Sequence, residues 1–187
     1  GVVTSHLIQS PLRHTFTYTK PLVHSPGQPP RELSRLDLKN WDPTPAPLAN
    51  DVAHHLDAIA ADIDALIIMD QVDIAGTGTV TDTLLTRVAA LAESRPHLPI
   101  IADSRRTLRG FPRVIFKMNA AELGRFAGQP VDDIPSVRAA ASELARANQC
   151  PVFITLAERG IVGAAPDGSS HHRPGLPVLG PIDIVGA

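Results

Sequence analysis

Four short apolar runs in this 187-residue chain each end in a side chain able to do chemistry. Asp64 to Met69 ends at Asp70, Leu98 to Ala102 at Asp103, Arg113 to Phe116 at Lys117 and Asn119, and Pro151 to Ile154 at Thr155. Carboxylates, an amide and a hydroxyl gathered at one rim can hold a hard cation through oxygen and a phosphate through hydrogen bonds. Asn119 is followed three residues later by Glu122, a spacing that closes a helix start by reciprocal bonds to free backbone N–H groups. The last residues, Asp183-Ile184-Val185-Gly186-Ala187, read as a phosphate-binding turn interrupted partway.

The elements that must position these residues follow from periodicity. Val52, Leu56, Ile59 and Ile63 repeat at helical spacing, as do Leu84, Val88 and Leu91, and then Val137, Ala141 and Leu144. Apolar runs alternating with such helices predict an α/β fold with a doubly wound, mainly parallel sheet. Ligands bind such sheets in the crevice at the carboxyl ends of the strands, so Asp70, Asp103, Asn119 and Thr155 are expected around one site. Polar residues also simply mark strand ends, and each of them taken alone is open to that reading.

The first 45 residues differ in character from residues 46–187. Thr15-Phe16-Thr17-Tyr18-Thr19 alternates, a Pro- and Gly-rich connection runs from Pro21 to Pro30, and Leu33, Leu36 and Leu38 resume the pattern. Two strands joined by a long loop are expected. The segment is too short for a core of its own, so it forms a small β lid on the α/β core or pairs with a second copy as a homodimer. Arg13, Lys20, Arg31 and Arg35 either meet an anionic substrate or make a solvated face. Near the other end, Pro166-Asp167-Gly168 between Ile161 to Ala165 and Ser169 to Arg173 predicts a hairpin.

Composition narrows the function classes. A hydrophobic content of 43% and a net charge of -2 describe a globular domain with no electrostatic case for nucleic acid, and no apolar run reaches membrane-spanning length. Cytoplasmic residence is expected, since no signal peptide is visible. The single cysteine, Cys150, precedes a predicted buried strand and reads as a core thiol. His54-His55 and His171-His172 are adjacent pairs whose side chains point apart, a poor arrangement for a metal. Gly76-Thr77-Gly78-Thr79-Val80-Thr81 is a partial dinucleotide fingerprint without its third glycine. It keeps an NAD-binding oxidoreductase open as a rival reading, with Asp103 as the ribose acid.

Taken in order, Asn119-Ala120-Ala121-Glu122, Thr155-Leu156-Ala157-Glu158-Arg159-Gly160 and Asp183-Ile184-Val185-Gly186-Ala187 resemble the PfkB carbohydrate kinases of ribokinase fold. That family has Asn-x-x-Glu, then Thr-x-Gly-x-x-Gly, then Asp-x-x-Gly-Ala-Gly-Asp. Thr15 to Leu38, leading into Arg35-Leu36-Asp37, is similar to the lid of the heptose 7-phosphate kinase branch.

The resemblance implies ATP, Mg2+ and a monovalent cation such as K+ as cofactors, and a small-molecule sugar or sugar phosphate as substrate. It implies that Asn119 and Glu122 serve magnesium and phosphate, and that Thr155 and Gly160 line the nucleotide. Asp183 would stand near the monovalent cation, and Gly186 and Ala187 would begin the anion hole, with Asp103 a lesser candidate at the crevice. Ala157 replaces a family glycine, and its methyl group is tolerated there only if φ stays negative. The family's general base falls after Ala187 and its glycine-rich sugar-binding segment before Gly1. On this reading the chain is a partial copy, expected to bind little and catalyse nothing by itself. A silent sugar- or nucleotide-binding protein of the same fold is the other alternative.

Overall fold

In the computed structural model, residues 1–177 are described. The N-terminal segment makes two small antiparallel pairs. Strand β1 (Thr17–Thr19) pairs with β4 (Leu36–Leu38), and inside the connection β2 (Leu22–Val23) pairs with β3 (Arg31–Glu32). The second pair is an addition to the loop expected from Pro21 to Pro30. Its cause is a tight turn, with the Gln28 N–H donating to the Ser25 carbonyl at 3.2 Å and Gly27 at φ 73°. Pro26 and Gly27 are the residue types that such a turn requires at its centre.

The remaining elements are α1 (Ala46–Ile59), β5 (Leu66–Asp70), α2 (Asp82–Ser94), β6 (Ile100–Ser104), β7 (Ile115–Asn119), α3 (Ala120–Ala127), α4 (Ile134–Asn148), β8 (Val152–Thr155), β9 (Ile161–Ala164) and β10 (Ser170–Arg173). They build a six-stranded sheet in the order β10-β9-β8-β7-β6-β5. Strands β5 to β8 run parallel, and the expected β9–β10 hairpin continues the sheet antiparallel. Helix α1 ends at Ile59, four residues short of the periodic stretch; Ile63 packs on the core from the following turn.

A single core lies between the sheet and all four helices. The sheet contributes Ile68, Ile100, Ala102, Phe116, Met118, Val152, Ile154, Val162 and Ala164, which share one face. Crossovers that step the same way across a sheet put their helices on one side, and β5 to β6 and β7 to β8 step the same way. The other face carries Ile67, Met69, Ile101, Asp103, Ile115, Lys117 and Phe153, none of which joins that core. No described helix is long and apolar enough to cross a membrane.

Candidate functional site at the carboxyl rim of the sheet

Parallel pairing brings the four strand ends to one rim, as the sequence predicts. Met69 stands opposite Asp103, Asp70 opposite Ser104, and Asn119 opposite Thr155. At Asn119 the capping box is formed: the Asn119 N–H donates to Glu122 Oε2 at 2.8 Å, and the Glu122 N–H donates to Asn119 Oδ1 at 2.9 Å. Asn119 is therefore fixed as the last residue of β7 and the cap of α3 at once, with Glu122 half-buried one turn in. Thr155 is half-buried on the neighbouring strand, and its hydroxyl donates to the Met118 carbonyl at 3.4 Å.

After Thr155 the chain makes a short 3-10 turn at Ala157–Arg159, closed by the Leu156 N–H donating to the Gly160 carbonyl at 2.8 Å. Ala157 sits at φ 53°, the left-handed region, so the negative φ that would make its methyl harmless is not what the chain adopts. Gly160 lies behind this turn at φ 93°, where an added Cβ would stand 2.0 Å from the Arg173 carbonyl oxygen. The room that Gly160 leaves is filled by the chain's own backbone at Arg173 to Gly175.

Asp103 faces the other way, onto the uncovered side of the sheet, where the Lys117 ammonium lies 2.9 Å from its Oδ2. Asp183, Gly186 and Ala187 lie outside the described residues. The structure thus brings Asn119, Glu122 and Thr155 together at the rim and sets Gly160 and Asp103 at its margins.

One group was not legible in the sequence as a unit. Asp70, whose side chain is 1% exposed, accepts from the Ser104 hydroxyl at 2.9 Å and from Arg106 Nη2 at 3.0 Å, all on its Oδ2. Its Oδ1 and the Arg106 Nε are buried without a protein partner. The one usable signal was the run Asp103-Ser104-Arg105-Arg106 directly after a predicted strand.

For a cation, the rim offers oxygen rather than nitrogen or sulfur. Glu122 Oε2 is engaged by the Asn119 N–H, which leaves Oε1 as the carboxylate oxygen that could face a metal. One carboxylate suits magnesium, which keeps most of its waters and is otherwise held by substrate phosphates. Among the described residues no cluster of three or more His, Cys, Asp or Glu could hold a metal on protein ligands alone. Cys150 is half-buried, and burial pushes its thiol up, with Arg113 opposing.

Of the N-terminal cations, Arg13, Lys20 and Arg35 are taken up locally. Lys20 lies 3.0 Å from Glu32, Arg35 lies 2.7 Å from Asp37, and Arg13 donates to the Asp42 carbonyl. The lid is tied to the body by Tyr18 Oη donating to the Gln71 carbonyl at 3.1 Å and by Lys39 donating to Asp73 at 2.5 Å. That hydrogen bond and the attraction of the opposite charges hold Asp73 below its ordinary 3.8 and Lys39 above its ordinary 10.5. The glycine-rich stretch is also used internally: Thr44 donates through its N–H to the Gly76 carbonyl at 2.8 Å and through its hydroxyl to the Gly78 carbonyl at 2.7 Å. Helix α2 starts only after Thr81, which caps it.

No protein-family model and no curated sequence matches the chain. Solved structures do. A ribokinase from Arabidopsis thaliana complexed with ribose and ATP matches at 13% identity over 84% of this chain and 48% of its own, with a TM-score of 0.54. Phosphofructokinase-2 from Escherichia coli in complex with fructose-6-phosphate matches at 14% identity over 78% of this chain and 48% of its own, with a TM-score of 0.52. The chain has a ribokinase-like fold. A protein described as Sa239 matches at 17% identity over 89% of this chain and 51% of its own, with a TM-score of 0.59. The chain therefore spans about half the length of these structures.

Proposed function

We propose that the chain is part of a PfkB-type carbohydrate kinase that transfers the γ-phosphoryl of ATP to a hydroxyl of a sugar or sugar phosphate. The observation that carries this reading is the Asn119–Glu122 capping box at the end of β7, one strand from Thr155, in a fold shared with a ribokinase and a phosphofructokinase. A helix start at a strand end offers free backbone N–H groups to anionic oxygen, and a carboxylate beside it offers a hard-cation ligand.

In this proposal Glu122 and Asn119 hold magnesium and its waters against the phosphates, and Thr155 lines the nucleotide with its hydroxyl. Gly160 shapes the same strand end through the turn that it closes. Magnesium, when bound, neutralises charge on the phosphate oxygens. Gly186 and Ala187 belong to the anion hole, Asp183 to a monovalent cation such as K+, and Asp103 to the edge of the crevice. The acceptor is a small sugar or sugar phosphate, with a heptose phosphate the branch suggested by Thr15 to Leu38. The exposed lid strands supply edges through which a second copy could add.

Equilibrium titration of the chain with ATP, with and without magnesium, and with NAD tests this reading. Weak ATP binding that needs magnesium, and that Glu122→Gln reduces about tenfold, is the expected result. NAD binding without ATP binding would replace the kinase with the oxidoreductase.

A further inference from the structure

Arginines crowd the connection from β6 to β7 and the helix beyond it, and most of them are satisfied by the protein. Arg105 donates to Gln71 Oε1 at 2.8 Å, Arg113 to Gln149 Oε1 at 2.5 Å, and Arg109 to the Phe126 carbonyl while its guanidinium lies over the Phe126 ring. Two are left over. Arg106 uses one Nη on Asp70, and its Nε is buried with no acceptor. Arg125, an exposed residue of α3, has no protein acceptor among the described residues.

Both of these residues line the same cavity of about 140 Å3, together with Ser104, Thr107, Glu122 and Phe126. A tetrahedral oxyanion with one or two neighbouring atoms fits that volume. A buried guanidinium N–H without an acceptor is costly, and an anionic oxygen is the partner that removes the cost at the greatest gain. The buried Asp70 anchors Arg106 in place, so its remaining donors are held ready rather than searching. Glu122 is the one acid on the wall, and its Oε2 is already engaged by the Asn119 N–H.

We infer that this cavity is a phosphoryl-binding niche in which Arg106 and Arg125 grip the oxyanion and Thr107 adds a hydroxyl. The niche rests on the unpartnered guanidinium donors and goes beyond the kinase reading, depending on it only for the source of the phosphoryl group. That group is either the tail of the nucleotide or a phosphate already on the acceptor.

The test is binding to the 187-residue chain followed by NMR, with inorganic phosphate, fructose 6-phosphate, fructose and ATP with magnesium as probes. Phosphate and fructose 6-phosphate shift the amides of residues 104–108 and 122–126, fructose does not, and Arg125→Gln weakens both anions at least about tenfold. Arg106→Lys, which keeps a cation against Asp70 and so keeps the fold, weakens them as well, whereas Arg138→Gln, on α4 where it donates to Ser170 at the β10 edge of the sheet, leaves them unchanged. Phosphate displaced by ATP assigns the niche to the nucleotide; phosphate retained beside ATP assigns it to a phosphorylated acceptor. Phosphate binding without any ATP binding keeps the niche and removes the kinase reading. No shift with either anion, or anion binding that neither arginine variant weakens, overturns the niche.

Discussion

The two faces of the central sheet are built from the same kinds of residue and have opposite fates. On one, Ile68, Ala102, Phe116, Ile154 and Val162 are buried under four helices. On the other, Ile67 is 66% exposed, Met69 57% and Phe153 39%, with the Asp103–Lys117 pair among them. Strands with apolar residues on both faces are those of parallel sheets covered on both sides. Among the described residues one side is covered, so stability is concentrated there, while the chemistry of the rim draws on both. Asp70 and Ser104 come from the helical side, Asp103 and Lys117 from the open one.

Truncating an aromatic on each face separates them most sharply. Phe116→Ala removes a ring from the packed core and should cost about 3–5 kcal/mol, against about 1 kcal/mol or less for Phe153→Ala, both read from urea unfolding. Equal costs would mean that the open face is packed in solution. The rim itself comes next. Arg106→Met leaves the Asp70 carboxylate buried with only the Ser104 hydroxyl, a loss of about 3 kcal/mol that Asp70→Asn in the same chain should partly restore.

Smaller effects test the turn and the lid. Ala157→Gly relieves a left-handed alanine and should stabilise by about 0.5–1 kcal/mol in the same unfolding assay. The Lys39–Asp73 contact makes the lid sensitive to acid. Asp73 is held below its ordinary 3.8, so its contribution is fully present above that value and is lost as the pH falls through the lowered one. Fluorescence of Trp41, the one tryptophan of the chain, should report lid loosening in that window, and Asp73→Asn should abolish the transition.

Much of this architecture could be read from the sequence because it depends on local pattern. The four strand ends, the β9–β10 hairpin, three of the helices and the Asn119–Glu122 capping box follow from periodicity and short-range hydrogen bonding. What escaped depended on contacts distant in the chain. Asp70 finds Ser104 and Arg106 only because β5 and β6 pair in register, and Gly160 meets Arg173 to Gly175 only because the hairpin folds back. Alpha-helix α3 was visible through its cap, but its eight residues are too few for a periodic signal. The φ of Ala157 could not be inferred either, since alanine rarely adopts it without a surrounding turn that imposes it.

In the proposed kinase, Asn119, Glu122 and Thr155 form one rim for a magnesium-bound triphosphate. Amide shift mapping of the chain with a non-hydrolysable ATP analogue and magnesium tests it most directly. The expected result is shifts at residues 119–122 and 155–159 that vanish when magnesium is withheld. Shifts confined to residues 76–81, or unchanged without magnesium, would contradict it.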